Sequence, residues 1–310
     1  MEVGGHKEKD VWKLGRKTIN KCESYKYLGE RIHRNGKNGE NLKERCDKLR
    51  YTARAIVTCC RSEIMRRIGT KVILKLHEAE TIPAFLYNAE TWTLNKSEKK
   101  IIDQAELYAW KKMIGLPQTT PTAGIVMTMG ALFATIRVET KQLVYLHKVM
   151  NKSDSHWTKT TPKIMKEYNI GWAKQICEIL ERWELNQNWE EIRLKTPGQW
   201  KGEVKRAMEI MNVRKLREEC ETKSRGETKQ KTKTKFVIDS VNDGDYSRGP
   251  DKYILRNHSI THTRALIMGR YGMLKCANNF SNGHGTKLCD RCKVIDNEDH
   301  RINDCTKWEG

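Results

Sequence analysis

Residues 40–68 read ENLKERCDKLRYTARAIVTCCRSEIMRRI, and this stretch decides the class of the fold. Its apolar residues recur at every third or fourth position: Leu42, Cys46, Leu49, Ala53, Ile56, Val57, Cys60 and Ile64. That spacing is typical of the buried face of a long amphipathic helix. Many of the other positions are basic, namely Lys43, Arg45, Lys48, Arg50, Arg54 and Arg61. We therefore expect a basic exposed face, for which ordinary solvation is the alternative explanation.

Similar spacing predicts further helices on both sides of this one. A helix over 70–81 should end before Pro83, because the residue that precedes a proline is pushed out of the α region. The stretch Asn95-Lys-Ser-Glu98 fits a capping box at the start of the next helix, with Ser97 as the alternative cap. Another helix is expected over about 135–150. The predicted fold is therefore mainly α-helical.

Composition divides the chain into five expected segments. Residues 1–37 should hold a short β-hairpin, because Tyr25, Tyr27 and Ile32 flank Leu28-Gly29. The other segments are a helical domain over 38–150, a helical connector over 151–220 that opens with a polar stretch, a linker over 221–235, and a helix with a Cys/His cluster over 236–310. The linker reads ETKSRGETKQKTKTK and is basic and low in complexity, so we expect it to be disordered.

The charge of the chain favours a polyanionic partner. Lys and Arg number 59 against 39 Asp and Glu, which gives a formal net charge of +20. A field of this sign attracts nucleic acid, although a ribosome-like or simply soluble basic protein would share it. A membrane is not expected as a partner, because no apolar run is long enough to span one and no helix pairs a basic face with a Trp/Phe/Leu face.

The start of the chain, MEVGGHKEKD, lacks the apolar core of a signal peptide. We therefore expect an intracellular protein. In that compartment the ten cysteines should be thiols or metal ligands rather than disulfides.

A cluster of metal-ligand residues lies near the C-terminus. Cys289 and Cys292 form a Cys-x2-Cys pair, and His300 and Cys305 follow at the separation found in zinc knuckles. Four such ligands would fill a tetrahedron, so the predicted zinc would be structural rather than catalytic. Free thiols on a frayed tail are the alternative. Two nearby residues compete for the fourth ligand position: Cys276 and His284.

Several short stretches resemble the C-terminal half of reverse transcriptases from non-LTR (LINE-type) retrotransposons. Tyr25-Lys-Tyr27-Leu28-Gly29 is similar to the "YLG" hairpin, which forms the primer grip at the end of the polymerase palm. Residues 82–92, IPAFLYNAETW, are similar to a segment of the family's thumb, with Asn88 where the family often has Gly. Residues 114–130 and 264–280 are similar to stretches that follow in the family. The Cys/His cluster is similar to the family's terminal knuckle.

The resemblance implies a helical thumb-like bundle after the hairpin, flexible linkers and a C-terminal CCHC zinc knuckle. It also implies binding of RNA or DNA, mostly through phosphates, in the nucleus. The expected nucleic-acid contacts are basic residues of the first helices and of the knuckle: Arg45, Arg50, Arg54, Arg61, Arg66, Arg67, Arg291 and Lys293. The expected primer-grip-like residues are Tyr27, Leu28 and Gly29.

The chain departs from the family in its catalytic residues. Polymerases of this kind hold two divalent cations with paired aspartates, which in the family lie upstream of the "YLG" hairpin. The sequence contains no Asp-Asp pair. We therefore expect a nucleic-acid-binding chain without polymerase activity of its own. The alternatives are part of an active RNA-directed DNA polymerase whose catalytic half is supplied separately, and a non-functional helical remnant.

Overall fold

Helices make up most of the part of the chain that the computed structural model describes, and short strands precede them. The described residues are 13–20, 22–60, 69–224, 259–271, 273, 288–289, 292–296 and 300. The α-helices are α1 (Gly39–Cys60), α2 (Thr70–Leu76), α3 (Ile82–Phe85), α4 (Lys96–Ile114), α5 (Thr122–Met129), α6 (Ala134–Met150), α7 (Trp157–Glu167), α8 (Gly171–Arg182), α9 (Trp189–Leu194), α10 (Pro197–Ser224) and α11 (Ile260–Arg270). The mainly α-helical prediction is confirmed.

The strands form two antiparallel hairpins. Strands β1 (Lys13–Leu14) and β2 (Lys17–Thr18) pair with each other, and so do β3 (Ser24–Tyr27) and β4 (Glu30–His33). The second hairpin is the one predicted around Leu28-Gly29, and its register pairs Tyr27 with Glu30.

Helix α1 follows the apolar spacing that predicted it. Leu42, Cys46, Leu49 and Ala53 are almost fully buried, at 0–2% exposure. The predicted extension to residue 68 lies outside the described residues. Burial of a single side chain of this size contributes about 1.5–3 kcal/mol, so this face supplies much of the free energy that holds α1 in place.

The chain is helical over 70–81 as predicted, but not as one α-helix, and the predicted end before Pro83 was wrong. Helix α2 ends at Leu76, a π-helical turn covers His77–Thr81, and α3 begins at Ile82 with Pro83 in its first turn. Proline is tolerated in a first turn, because an N–H there has no intrahelical acceptor. The proline therefore lies at the beginning of a new helix and does not end the helical path.

The predicted capping box at the start of α4 is confirmed, with Asn95 as the cap. The Glu98 backbone N–H donates to Asn95 Oδ1 at 3.0 Å, and the Asn95 N–H donates to the Glu98 carboxylate at 2.9 Å. Ser97, the alternative cap, donates its hydroxyl to Asn95 Oδ1 at 2.6 Å. Ser97 therefore supports the cap without replacing it.

Other helices differ from the predicted ranges or were not predicted. Helix α6 matches its prediction to within a residue, whereas α5 and α9 had no prediction. Helix α7 begins at Trp157, inside the polar stretch at 151–161 that was expected to be a linker at the start of the connector. The His156 ring accepts a hydrogen bond from the Thr158 N–H and caps this helix. Helix α10 continues to Ser224, so the first residues of the predicted disordered linker are helical and the rest lie outside the described residues.

The chain divides into two compact units, each assembled from three separate segments. Unit 1 comprises Met1–Thr52, Glu78–Glu106 and Leu132–Asn212. Unit 2 comprises Ala53–His77, Leu107–Ala131 and Val213–Gly310.

In unit 1, helices α6 and α8 hold the irregular segment 86–94 through its backbone. The Gln142 amide donates to the Trp92 carbonyl at 2.6 Å, and the Gln175 amide oxygen accepts from the Leu94 N–H at 2.9 Å. The Trp172 indole donates to the Glu90 carbonyl at 2.8 Å. Backbone groups of a buried irregular segment need such partners. This segment, which contains the LYNAETW residues, is therefore fixed in place.

Unit 1 also contains a buried carboxylate that joins three helices. Glu139 on α6 is 3% exposed. Its oxygens accept from Lys99 of α4 at 3.0 Å, from Arg182 of α8 at 2.6 Å and from the Trp183 indole at 3.1 Å. A buried carboxylate is stable only when it is paired and hydrogen-bonded in this way.

In unit 2, α11 is anchored by Tyr271 just after its last residue. Tyr271 is fully buried, its hydroxyl donates to the Gly124 carbonyl of α5 at 2.9 Å, and Thr128 Oγ1 lies 2.8 Å from that hydroxyl. A Cβ at Gly124 would lie 2.6 Å from the Tyr271 ring. Thr70 and Thr263 add a buried hydroxyl–hydroxyl bond of 2.8 Å between α2 and α11.

Among the described residues, no single helix is long and apolar enough to cross a membrane, and α5 and α6 pass that test only when taken together as a bent pair.

Candidate metal centre and nucleic-acid interface

Cys289, Cys292 and His300 come together near the end of the chain. Their ligand atoms all lie within 4.8 Å of one another. Cys289 and His300 are each 5% exposed, and Cys292 is half-buried. Two sulfur atoms and a ring nitrogen form a donor set that suits soft and borderline metal cations. These three residues could therefore hold a metal ion, as the sequence pattern predicts.

A tight turn brings the two cysteines together. Leu288 and Ile295 form an antiparallel bridge at its base. Within the turn, the Cys289 N–H donates to the Val294 carbonyl at 2.8 Å, and the Lys293 N–H donates to the Cys289 carbonyl at 3.0 Å. Lys293 adopts a left-handed conformation, with φ of 57°, and its side chain is exposed. Lys293 is therefore available to a ligand beside the metal-ligand cluster.

Some predicted site residues lie outside the described part of the chain. They are the fourth ligand Cys305, its competitors Cys276 and His284, and the basic residues Arg61, Arg66, Arg67 and Arg291.

Arg45 was predicted as a nucleic-acid contact, and the structure uses it inside the fold instead. Its side chain is 9% exposed and pairs with Glu30 at 2.6 Å. The guanidinium also donates to the Gly29 carbonyl at 2.8 Å and to the Ala84 carbonyl at 3.3 Å, and it lies 5.0 Å from the centre of the Tyr87 ring. With its donors engaged, Arg45 is not presented to phosphates.

The position of Arg45 on the helix permits this burial. It stands three residues after Leu42 and four before Leu49, so it falls beside the apolar stripe of α1. Spacing alone does not decide the outcome, because Arg50 has the equivalent spacing on the other side of the stripe and is only half-buried. The partner that the hairpin supplies to Arg45, Glu30, makes the difference.

Arg50 and Arg54 lie on the opposite side of α1, together with Lys43. The spacing 43, 50, 54 places them on one stripe, about 16 Å long at the helical rise of 1.5 Å per residue. Lys43 and Arg54 are exposed, and the Arg50 side chain is 38% exposed and pairs with Asp47 at 3.0 Å. Tyr51, beside the stripe, is 74% exposed. We call Lys43, Arg50, Tyr51 and Arg54 the α1 basic stripe.

The predicted primer-grip-like residues form the turn of the β3–β4 hairpin. Leu28 and Gly29 have φ of 46° and 84°, the pattern of a type I′ turn, which suits the twist of a two-residue hairpin. Left-handed backbone is uncommon for a bulky residue and strains it. Leu28 is 74% exposed and Tyr27 is 58% exposed. The turn therefore presents two large apolar side chains to solvent.

Ion pairs fasten the hairpin to α1. Arg31 Nε donates to the Glu44 carboxylate at 2.6 Å, and Lys26 lies 3.5 Å from the same carboxylate. The hydrogen bond from Arg31 holds the pKa of Glu44 below its ordinary value, and the positive charges of Arg31 and Lys26 act in the same direction. Glu44 therefore stays ionised at neutral pH and keeps the hairpin on the helix.

A cavity of about 390 Å³ lies between this hairpin and the 87–92 segment. The two stretches that carry the family resemblance thus line one space, which we call the hairpin cavity. Asn88 at its edge is left-handed, with φ of 58°. Glycine adopts that conformation without strain, and asparagine is the side chain that tolerates it best after glycine. In the sequence, Tyr87 and Trp92 stand out only as members of the motif at 82–92, and nothing there predicts that they line a cavity.

Comparison with known proteins adds no identity: no family model, no curated protein and no solved structure matches this chain.

Proposed function

We propose that this chain is a nucleic-acid-binding protein that contacts the phosphate backbone and carries a structural zinc ion. The observation that carries the proposal is the α1 basic stripe, where Lys43, Arg50 and Arg54 share one exposed face beside Tyr51. The net charge of +20 supports the same conclusion. The resemblance to the C-terminal portion of non-LTR reverse transcriptases agrees with it and remains part of the proposal.

The stripe suits phosphates for physical reasons. Guanidinium groups offer several N–H donors in a planar fork that matches phosphate oxygens, and they keep their charge at any physiological pH. Each neutralised phosphate releases condensed counterions, which adds an entropic contribution to binding. An exposed tyrosine next to such cations can stack on an unpaired base. One acidic residue, Asp47, lies within the stripe and is matched by Arg50.

Charge reversal tests this surface. In the full chain, the double variant Arg50→Glu/Arg54→Glu should weaken binding to a fluorescein-labelled RNA–DNA duplex by at least about tenfold, measured by fluorescence anisotropy, because two phosphate contacts become repulsions. The matched control is Lys201→Glu/Lys205→Glu, which makes the same charge change at two exposed lysines of α10. Equal losses in the two variants would mean that only net charge matters and would remove the stripe from the proposal.

For the metal centre, we propose zinc held by Cys289, Cys292 and His300, with Cys305 as the fourth ligand. The sulfur and nitrogen donors of the first three residues support this choice. A zinc ion would stabilise a segment whose sequence has few apolar residues, because the binding free energy adds to the folding free energy.

Metal analysis of the purified chain tests the zinc site. The wild-type chain should carry stoichiometric zinc, and Cys292→Ser should lose most of it. Cys59→Ser removes an exposed thiol of α1 and serves as the control. Zinc content that is the same in all three proteins would contradict the site.

The proposal includes no polymerase chemistry for this chain alone, because its sequence has no Asp-Asp pair. In a primer-extension assay with magnesium and deoxynucleotides, the chain should bind the primer–template and give no product. A magnesium-dependent product would overturn this part of the proposal.

A further inference from the structure

The hairpin cavity has the size and lining of a small-ligand site. Its volume, about 390 Å³, falls in the range of about 300–1,000 Å³ that is usual for ligand pockets. Six of its lining residues matter for what it can bind: Tyr27, Ile32, His33, Lys37, Tyr87 and Trp92. They provide aromatic surface and basic groups in one space.

Trp92 offers a way to observe the cavity. Its side chain lines the cavity and is 2% exposed. The resonance of its indole can therefore report on a molecule that enters the cavity.

Some charged residues that line the cavity already have ion-pair partners and others do not. Glu30 is paired with Arg45, and Arg31 is paired with Glu44. His33 accepts a hydrogen bond from the Asn35 N–H at 3.2 Å on Nδ1. Lys37 is exposed, and within the described part of the chain its amine has no ion-pair or hydrogen-bond partner. The available charge at the cavity is therefore positive.

We propose that the hairpin cavity binds one unpaired nucleotide of a nucleic acid. The base packs against the aromatic rings of Tyr27 and Tyr87, and the phosphate lies toward Lys37. Stacking of a base on an aromatic side chain contributes about 1–3 kcal/mol and tolerates any base. This inference rests on the proposed function and adds a single-nucleotide site to the phosphate-binding surface.

Nuclear magnetic resonance of the tryptophan indoles tests the cavity directly. The full chain, with nine tryptophans, is labelled with ¹⁵N at the indole nitrogen, and the Trp92 signal is identified by its absence in Trp92→Phe. Adenosine 5′-monophosphate should shift this signal in a saturable way. Adenosine should bind more weakly, and inorganic phosphate alone should leave the signal in place.

Two charge variants complete the experiment. Lys37→Glu should weaken binding of the monophosphate by about tenfold, a change that corresponds to about 1.4 kcal/mol. The matched control is Lys100→Glu, at an exposed lysine of α4 outside the cavity lining, which should bind as the wild type does. Lys37 is a surface residue. If Trp92→Phe fails to fold, Lys37→Glu is compared with the wild type through whichever indole signal the monophosphate shifts.

Duplex binding by anisotropy, measured in parallel, separates the two proposals. If the duplex binds and the Trp92 signal does not respond to the monophosphate, the cavity proposal is overturned and the proposed function stands. If the signal responds and the duplex does not bind, the chain has a nucleotide site and the proposed function is overturned. An equal response in Lys37→Glu and in the wild type would also contradict the cavity proposal.

Discussion

Arg45 of helix α1 and Glu30 of strand β4 form a buried ion pair with a nitrogen–oxygen distance of 2.6 Å. Their side chains are 9% and 15% exposed. The same guanidinium donates to the Gly29 carbonyl in the hairpin turn at 2.8 Å. One basic side chain therefore fixes the turn against the helix that carries the basic stripe, and it holds one wall of the hairpin cavity.

Loss of this pair should destabilise the protein strongly. Arg45→Met leaves the Glu30 carboxylate buried without its cation, and such changes cost about 3–5 kcal/mol. Urea unfolding followed by circular dichroism measures the change. Arg50→Met is the control, because the exposed pair between Arg50 and Asp47 should contribute less than about 1 kcal/mol. Similar unfolding free energies for the two variants would show that the Arg45 pair is not structural.

Loss of the N-terminal cap of helix α4 should lower the stability of the protein by a smaller amount. Asn95→Ala removes the acceptor for the Glu98 N–H and should cost about 1 kcal/mol. Ser97→Ala removes only a supporting hydroxyl and should cost clearly less. Thermal unfolding compares the two variants, and a larger loss in Ser97→Ala would assign the cap to the serine.

The attachment of the hairpin to α1 should depend on pH. The pKa of Glu44 in the folded protein is lowered from 4.5, mainly by its hydrogen bond from Arg31. A lowered folded-state pKa gives stability that is present above the unfolded pKa and is lost as the pH falls through the folded pKa. The Arg31 Nε–H resonance should therefore move as the pH falls below about 4.5, and Glu44→Gln should abolish that titration. A resonance that titrates unchanged in the variant would assign the effect to another group.

The contact between Gly124 and Tyr271 predicts two destabilising changes in unit 2. Gly124→Ala places a methyl group 2.6 Å from the Tyr271 ring, and overpacking of this kind costs about 1–3 kcal/mol. Tyr271→Phe removes the hydroxyl that Gly124 and Thr128 contact and should cost about 1–2 kcal/mol. Amide hydrogen exchange of α5 and α11 should show the loss.

Gly202→Ala is the control for this pair of variants. Gly202 lies within helix α10, and a Cβ there would meet no atom within 4 Å. Alanine is the better helix former by about 0.8–1.0 kcal/mol, so this variant should be more stable than the wild type. A loss of stability in Gly202→Ala, or none in Gly124→Ala, would contradict the packing described for the two glycines.

The sequence predicted those parts of the fold that depend on local pattern. Three of these features depend only on residues that are close in sequence. They are the apolar spacing of α1, the turn at Leu28-Gly29 and the cap at Asn95. The Cys289, Cys292 and His300 cluster could also be predicted, because metal ligands have characteristic spacings.

Features that depend on contacts between distant segments could not be predicted. Charge suggested that Arg45 contacts nucleic acid, and only its distance to Glu30 shows that it is structural. Gln142 and Trp92 are fifty residues apart, and nothing local indicates that one holds the backbone of the other. The hairpin cavity exists because two distant motifs meet, so neither motif alone could reveal it.

The salt dependence of duplex binding by the wild-type chain tests the central claim most directly. If Lys43, Arg50 and Arg54 each neutralise a phosphate, the logarithm of the binding constant should fall with the logarithm of salt concentration with a slope of about −2.7 or steeper. Fluorescence anisotropy with a labelled duplex, repeated at several salt concentrations, gives that slope. A slope near zero, or no binding at low salt, would contradict the claim that this chain binds nucleic acid through its phosphates.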